Sequence, residues 1–535
     1  MFRRFWTALL LVSAFCGVTS AAGKAGACTI PTTADLQAAF QDTANGTLPS
    51  SYPHATVQGG AGGVPAVLLE AIAWVESHWS QDTPSGRPLV SYDFGYGIMQ
   101  VTSGMPGAYG KISGTLPTDV QDRIASDYVY NIAAGAAILA AKLDGTPLIG
   151  DGSPDALEHW YYALWAYNGW GWINNPNNPR FTRSGTPGTN PNSFPYQERV
   201  LYWAAHPPKD RNGNLMWLPV LVSQPPRKSV GKTAPALPEL TALHRVRIPT
   251  LAAVYEPGAM TMLHPLQTQR VRFRLFNAGS ALWLHTGPDA LSLAYHVYKK
   301  GADPLQPASP FASGLVQFAA GAVALPKDVL PGRPLSLFAE VTAPKTSGLY
   351  SLAWDLENAA GTWFSNLGDI PYASKLEVVP AGYVGTPSPT PTNTVVKRAE
   401  NIQFVADTSF KDGTTVASTQ RFTKGWIVYN NGSSPWRVGW ALHLRRGSAF
   451  GSRIIDVPPL APCHTANLLA RLVAPKQSKH YVSVWQLQDA SGAWVGEKLT
   501  LVVNVRGTPN GATPTPTPSI PPTSTKPTPT STPIG

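Results

Sequence analysis

Glu76 is the residue in this sequence best placed to act as a chemical acid. It lies in the run Val64 to Trp79, where apolar residues recur at three- and four-residue steps. This spacing predicts a helix with one apolar stripe, and Glu76, four residues after Ile72, falls on or beside it. A carboxyl group held there loses water, which favours its protonated form and lets it protonate a leaving oxygen. The alternative is a structural glutamate at the core edge, paired with an Arg or Lys.

Short motifs follow Glu76 in a fixed order. They are Glu76-Ser77, Gly97-Ile98-Met99-Gln100, Asn131-Ile132-Ala133-Ala134-Gly135, Ala166-Tyr167-Asn168, and Tyr196 with Val200-Leu201. Together they resemble the soluble lytic transglycosylase family, a group of peptidoglycan lyases that have a lysozyme-like fold and cleave the glycan strands of bacterial peptidoglycan. The resemblance covers roughly the first third of the mature chain. It predicts a peptidoglycan-cleaving enzyme.

The resemblance implies a role for each matching position. Glu76 would protonate the oxygen between N-acetylmuramic acid and N-acetylglucosamine, and would then accept the C6 hydroxyl proton as a 1,6-anhydro ring closes. Tyr167 would hydrogen-bond Glu76 and orient it. The predicted substrate-binding residues are Ser91 near an acetamido group, Gly97 through its backbone, Met99 and Gln100 in the groove, and Asn168 at its floor. For Met99 the alternative is core packing, and for Ser91 a turn role. We predict no cofactor and no metal.

A goose-type lysozyme, which hydrolyses the same bond with water, is the alternative within this fold. Goose-type enzymes share the Glu-Ser and Met-Gln motifs but carry two further aspartates nearby. The matching positions here are Ser91 and Thr102, neither of which can act as a base. This favours transglycosylation, although Asp93 in the same loop leaves hydrolysis open. The family's acidic residue near the closing motif is not assigned, since Glu198 and Asn192 are both near.

A third hypothesis is a wall-binding or adhesive protein whose catalytic domain is inactive. Against it, Glu76, Gln100 and Tyr167 are all present. The net charge of +10 suits an anionic partner, although plain solubility would explain it equally well. The basic residues are scattered and no nucleic-acid-binding motif accompanies them, so we expect no nucleic acid as partner. Peptidoglycan glycan strands are the partner we expect. The β-sandwiches would add contacts with other cell-wall polymers or proteins.

The first 22 residues resemble a secretory signal peptide. They contain Arg3-Arg4, an apolar run from Phe5 to Val18, and small residues at its end. No other apolar run approaches the roughly 20 residues of a membrane helix, so we expect a secreted or wall-associated protein without a membrane span. Cys16 would leave with the signal peptide. The sequence does not show whether Cys28 and Cys463 are paired or free.

The second half of the chain alternates apolar and polar residues and contains an internal repeat. Asn277 with Trp283 recurs as Asn430 with Trp436, and Ala-Pro-Lys at 343–345 recurs at 474–476. Two strand-rich copies of this kind predict two immunoglobulin-like sandwiches. The pattern resembles the tryptophan-rich Next-to-BRCA1 central domain. We expect Trp283, Trp354, Trp436 and Trp485 in the cores rather than at sugar platforms.

The predicted fold class is therefore multidomain α+β, with a mainly helical lysozyme-like domain followed by two all-β immunoglobulin-like sandwiches. Inside the helical domain we expect helices at about 33–41, 64–79, 120–143 and from 155 to 168. The predicted order is signal peptide 1–22, lysozyme-like domain 29–207, linker 208–240, sandwich 241–380 with a loop at 304–321, Pro/Thr-rich linker 381–397, sandwich 398–506 and disordered Pro/Thr-rich tail 507–535.

Overall fold

The computed structural model describes residues 31–57, 63–210, 212–224, 249–383 and 399–507. These ranges form a helical domain and two β-sandwiches, so the predicted fold class is confirmed. The signal-peptide prediction, Cys28, nearly all of the second linker and nearly all of the tail lie outside the described residues.

The helical domain is built from α-helices that match the sequence patterns in most places. Their bounds are α1 Thr33–Ala44, α2 Ala66–Ser77, α3 Thr118–Ser126, α4 Tyr128–Asp144, α5 Tyr161–Tyr167 and α6 Tyr196–Ala205. Helix α2 carries Glu76 near its end, as its periodicity predicts. Helix α5 begins later than expected, because a 3-10 turn at Leu157–Trp160 precedes it.

The single helix predicted at 120–143 is wrong. Helices α3 and α4 meet at Asp127 with a bend of 109° between them. The Asp127 side chain accepts hydrogen bonds from the amides of Val129 and Tyr130 and so caps α4. Within the described ranges, no single helix has the length and apolarity to cross a membrane; the bent α3–α4 pair passes that test only when its two helices are combined.

Helix α2 lies at the centre of the helical core. Leu68 and Ile72 are fully buried and belong to one apolar cluster with Val200 and Leu201 of α6. At the end of α2, the Trp79 ring stacks on Trp217 at a centroid distance of 5.3 Å. The sequence prediction placed residues 212–224 in a linker. Part of this segment instead packs on the helical domain.

The first sandwich contains two sheets. Its strands are β1 Ala253–Pro257, β2 Thr268–Asn277, β3 Leu291–Lys299, β4 Leu315–Ala324, β5 Pro334–Thr342, β6 Gly348–Asn358 and β7 Tyr372–Val378. The strand orders are β1-β2-β5 and β4-β3-β6-β7. The loop predicted at 304–321 is wrong over its last part, because β4 pairs with β3 there.

The second sandwich repeats this architecture with further short strands. Its strands are β8 Gln403–Ser409, β9 Thr414–Ala417, β10 Arg421–Tyr429, β11 Ala441–Gly447, β12 Ile454–Asp456, β13 Thr465–Val473, β14 His480–Gln488 and β15 Trp494–Arg506. They form a β13-β10-β8 sheet and a β12-β11-β14-β15-β9 sheet. The four repeat tryptophans named above are buried in the two cores, as predicted.

The internal repeat is reproduced at the level of single hydrogen bonds. The Asn277 amide donates to the carbonyls of Ala281 and Val329, both at 2.9 Å, and its oxygen accepts from Gly279 N. Asn430 forms the equivalent bonds in the second sandwich, to Ser434, Leu460 and Gly432. Both asparagines are fully buried. The repeated asparagine therefore closes the same turn in each copy.

Both sandwiches contact the helical domain. Arg274 of β2 forms an ion pair with Asp35 of α1. In the second sandwich, the backbone amide of Thr465 donates to Asp122 of α3, and Arg87 donates to Phe404 O at 3.0 Å. Cys463, two residues before Thr465, is disulfide-bonded, and the other two cysteines of the chain lie outside the described residues.

We predict that Asn277→Ala destabilises the first sandwich by about 2–3 kcal/mol, because it leaves buried carbonyls and an amide without partners. Asn430→Ala should do the same in the second sandwich. Asn366→Ala, which changes an exposed side chain of the first sandwich, is the matched control and should be nearly neutral. Denaturant unfolding of the three variants would measure this. Equal stability of Asn277→Ala and Asn366→Ala would contradict the prediction.

Candidate active site

The end of helix α2 is fastened to the loop that contains the Gly97-to-Gln100 motif. Helix α2 stops at Ser77, and His78 adopts a left-handed backbone conformation with φ 53°. The Ser77 hydroxyl lies 2.8 Å from the carbonyl oxygen of Ile98 and 3.1 Å from that of Ala73. This contact keeps Glu76, the residue before Ser77, next to the loop.

Two buried amide side chains hold the loop from behind. The oxygen of Gln81 accepts from the Ile98 amide at 2.9 Å, and the oxygen of Asn131 accepts from the Met99 amide at 2.8 Å. Gly97 has a left-handed φ of 67°, and a Cβ there would clash with both amide side chains. The approach of Gln81 and Asn131 is therefore enough to require glycine at position 97, and the expected approach of the Gly97 backbone to a sugar stays a prediction.

Glu76 is half-buried and accepts a short hydrogen bond from the Tyr196 hydroxyl, at 2.6 Å from Oε1. Burial raises the pKa of Glu76 to about 7, and the nearby charge of Asp93 also raises it. The Tyr196 hydrogen bond and the charge of Arg199 lower it. A carboxyl group with this pKa is protonated in a large fraction of molecules near neutral pH, as a general acid must be.

Tyr167 does not contact Glu76 in the way the sequence analysis predicts. Its hydroxyl donates to the Met99 carbonyl at 2.8 Å, so the predicted Tyr167–Glu76 hydrogen bond is wrong. The Tyr167 ring instead stacks on Tyr196 at a centroid distance of 6.4 Å and an interplanar angle of 15°. Tyr167 thus supports the tyrosine that holds Glu76, since it packs against that ring.

The Met99 side chain is also placed differently from the prediction. It is fully buried and packs against Gly135 of α4, where a Cβ would be 2.7 Å from Met99 Cβ. The Met99 side chain is therefore part of the core, the alternative considered for it, and only its backbone faces the Tyr167 hydroxyl.

The remaining predicted site residues lie on the loops around Glu76. The Ser91 hydroxyl donates to Asp93 at 2.6 Å and accepts from Gly95 N at 2.8 Å. The Gln100 amide donates to Gly97 O at 2.7 Å, and Gln100 has a φ of 49°. Asn168 is exposed and ends α5. Their contacts with a substrate stay predictions.

Tyr196 and Arg199 are functional candidates that the sequence analysis did not assign to the site. Tyr196 belongs to the closing motif, and Arg199 follows it by three residues on α6, which puts both on one helix face. The Arg199 Nε is buried without a hydrogen-bond partner among the described residues, and burial lowers its pKa. The helical spacing from Tyr196 is the signal that could have found Arg199.

Glu198, one of two residues near the closing motif that the sequence analysis left unassigned, has a structural role. Arg183 binds it through two hydrogen bonds, with Nη2 at 2.7 Å from Oε1 and Nε at 3.1 Å from Oε2. This buried pair joins α6 to the loop before it. Asn192 is exposed.

A cavity lies elsewhere in the molecule. It measures about 940 Å³ and opens between the helical domain and the first sandwich, with Glu70, Trp217 and Asp369 in its lining and without Glu76. Among the residues that the structure describes, no cluster of three or more His, Cys, Asp or Glu side chains could hold a metal ion. Glu76 therefore lies outside this cavity, in the last turn of α2.

Family comparisons match two parts of the chain. Residues 56–179 match the transglycosylase SLT domain, and residues 409–505 match the Ig-like domain from next to BRCA1 gene. The chain thus carries the two domain types that the sequence resemblance indicated. The SLT domain supports a lytic transglycosylase-like or lysozyme-like function.

Two plant proteins each match 19% of the chain. Protein JOKA2 of Solanum tuberosum is 31% identical over 108 residues, which are 19% of this chain and 12% of that protein. A Protein NBR1 homolog of Arabidopsis thaliana is 29% identical over 108 residues, or 19% of this chain and 15% of that protein. A red sea bream transglutaminase structure covers 49% of this chain and 32% of its own at 11% identity, and its TM-score of 0.15 supports no conclusion.

We predict that Tyr196→Phe raises the pKa of Glu76 by about one pH unit. The Tyr196 hydrogen bond stabilises the charged carboxylate, and the variant lacks it. Tyr167→Phe is the matched control, since that hydroxyl bonds Met99 instead. NMR titration of the Glu side-chain carboxyls, with the Glu76 signal identified by its loss in Glu76→Gln, would measure both. A pKa that rises in Tyr167→Phe but not in Tyr196→Phe would refute the assignment.

Proposed function

Starting from the SLT domain at residues 56–179, we propose that the protein is an exported peptidoglycan lytic transglycosylase. It would cleave the β-1,4 bond between N-acetylmuramic acid and N-acetylglucosamine and form 1,6-anhydro-N-acetylmuramic acid. The observation that carries this proposal is the half-buried Glu76, whose pKa is raised to about 7 and whose carboxylate accepts from Tyr196. This pKa suits one group that acts first as an acid and then as a base.

In the first step Glu76 gives its proton to the bridging oxygen as the bond from that oxygen to muramic C1 breaks. Positive charge develops on the sugar while Glu76 becomes a carboxylate. The Tyr196 hydrogen bond and the Arg199 charge both favour the carboxylate, so they act most strongly as the proton leaves. Groups that interact more strongly with the transition state, where this charge develops, than with the ground state lower the activation barrier.

In the second step the Glu76 carboxylate takes the proton from the C6 hydroxyl of the same muramic sugar. The C6 oxygen bonds to C1, which closes the anhydro ring, and Glu76 is protonated again. No water enters the products. One carboxyl group is enough for this sequence, because the substrate supplies the nucleophile.

Hydrolysis is the second candidate reaction, and Asp93 is the observation that favours it. Most glycosidases use two carboxyl groups, one as acid and one as nucleophile or base. The charge of Asp93 raises the pKa of Glu76, so the two groups are near one another. The Ser91 hydroxyl donates to Asp93, which holds that carboxylate in the loop. An Asp93-activated water would give a reducing end instead of an anhydro end.

The setting we propose is the bacterial cell wall outside the cytoplasmic membrane. The net charge of +10 suits anionic wall polymers. The sandwiches are proposed as modules that bind such polymers or wall proteins. The second sandwich would also support the site. Its Phe404 carbonyl accepts a hydrogen bond from Arg87, which precedes Ser91 and Asp93 in the same loop.

The first test of this function is mass spectrometry of purified glycan strands digested by the mature protein. We expect muropeptides lighter by one water than hydrolysis products, formed by the unmutated protein and lost with Glu76→Gln. Glu340→Gln, an exposed glutamate of β5, is the control and should cleave normally. Reducing-end products would identify a hydrolase. Wall binding without any cleavage by the unmutated protein would identify a non-catalytic binding protein.

Asp93→Asn separates the two reactions. If the protein is a transglycosylase, this variant should still form anhydro products. Because the negative charge of Asp93 raises the pKa of Glu76, its removal should lower that pKa. The loss of activity at alkaline pH, which follows deprotonation of the acid, should then begin at a lower pH. Complete loss of products with Asp93→Asn, in a protein that still folds, would show that Asp93 takes part in the chemistry.

A further inference from the structure

We propose that residues 168–178, here called the tryptophan loop, form a second sugar-binding subsite. In it, Trp170 and Trp172 stack on pyranose rings of the glycan strand. This inference rests on the proposed function for its choice of polymer. Except for Asn168, which is already a predicted substrate-binding residue, the loop adds residues that are not among the predicted site residues around Glu76.

The tryptophan loop is held in one conformation by hydrogen bonds to its own backbone. The Asn174 amide donates to Asn168 O at 2.7 Å and to Gly169 O at 3.1 Å. The Asn178 amide donates to Trp172 O at 2.9 Å. These bonds fix the backbone on both sides of the tryptophans, so little conformational entropy remains to be lost when a ligand binds.

Trp170 is a fixed ring with one covered face. It stacks on Trp165 at a centroid distance of 4.2 Å and an interplanar angle of 28°, and Tyr162 contacts it edge-on at 5.8 Å. Trp165 is buried, and its indole N–H donates to Gly171 O at 3.3 Å. Trp170 nevertheless remains 42% exposed. An indole anchored on the core side and open on the other is suited to receive a flat apolar surface.

The exposed apolar side chains of the loop are concentrated rather than scattered. Trp172 is 43% exposed and Ile173 is 61% exposed, so together with Trp170 they fill three of four consecutive positions. Single exposed apolar residues are common and need no explanation, whereas a contiguous patch marks a binding surface.

The chemistry of the loop favours an uncharged, hydroxyl-rich ligand. No charged residue occurs between His159 and Arg180, so the loop itself contributes no charged side chain to a ligand. Asn168 and Asn174 flank the two tryptophans in the sequence, and neither is fully buried. A pyranose ring combines an apolar C–H face with hydroxyl and acetamido groups at its edge, and therefore matches aromatic faces bordered by amides.

The loop is continuous with the proposed catalytic site. It starts at Asn168, directly after Tyr167, whose ring stacks on Tyr196. Tyr196 donates in turn to Glu76. In the proposed subsite, a glycan strand that is cut at Glu76 would extend over the tryptophan loop, which would favour long strands over short fragments.

The test measures binding of chitopentaose, a soluble N-acetylglucosamine oligomer, by isothermal titration calorimetry to the full mature chain carrying Glu76→Gln. We expect Trp170→Ala and Trp172→Ala each to weaken binding about tenfold, which corresponds to about 1.4 kcal/mol. Trp170→Phe should restore most of the affinity lost in Trp170→Ala. The matched control is Trp494→Ala on the second sandwich, a tryptophan that is also 42% exposed and should leave the affinity unchanged.

A kinetic readout separates a subsite from a merely structural role. In the otherwise unmutated protein, Trp172→Ala should raise KM for long glycan strands about tenfold and leave kcat unchanged. Since Trp170 packs on Trp165, the Trp170→Ala variant needs a thermal unfolding control, and Trp172→Ala tests the proposal independently of it.

Unchanged chitopentaose affinity in folded Trp170→Ala and Trp172→Ala, and in the double variant, would overturn the subsite. A membrane surface would replace the sugar subsite if the unmutated protein co-sediments with phosphatidylglycerol vesicles, the two tryptophan variants do not, and their chitopentaose binding is unchanged. Failure of the proposed function is distinguishable from both: the unmutated protein would not cleave glycan strands, while the tryptophan variants would still lower chitopentaose affinity.

Discussion

The position of Glu76 depends on two buried amides that do not touch it. Gln81 and Asn131 accept from the backbone amides of Ile98 and Met99 and so fix the loop beside the end of α2. Buried polar side chains that are fully used in this way specify one backbone path, because any other path would leave them unpaired in the core. Once that path is fixed, the Met99 carbonyl can receive Tyr167, whose ring supports the tyrosine on Glu76.

The acid itself is balanced between opposing influences. Burial and Asp93 raise the pKa of Glu76, whereas Tyr196 and Arg199 lower it, and the result of about 7 lies near neutral pH. Without Tyr196 and Arg199, the pKa of Glu76 would be higher, and the carboxyl group would release its proton less readily. If the stabilising groups acted alone, it would already be deprotonated at neutral pH. In the proposed reaction, this balance would let one carboxyl group first give up a proton and then take one back.

The sandwiches are more closely joined to the helical domain than spacer modules would need to be. Arg274 pairs with Asp35 on one side, and Thr465 and Phe404 contact Asp122 and Arg87 on the other. The second sandwich therefore supports the same loop segment that carries Ser91 and Asp93. If the sandwich binds a wall polymer as proposed, this attachment would hold the proposed active site in a defined direction relative to that polymer.

Residue identity and short-range periodicity were enough to select Glu76 as the candidate acid, to order the motifs and to predict the two-copy β architecture. The sequence also assigned the repeat tryptophans to the cores, where the structure places them. Only the tertiary structure decided which tyrosine reaches Glu76, since Tyr196 is 120 residues away in the chain and local patterns carry no information about that distance. The same holds for the buried Met99 side chain and for the clash that requires Gly97, both of which arise where separate helices and loops pack together.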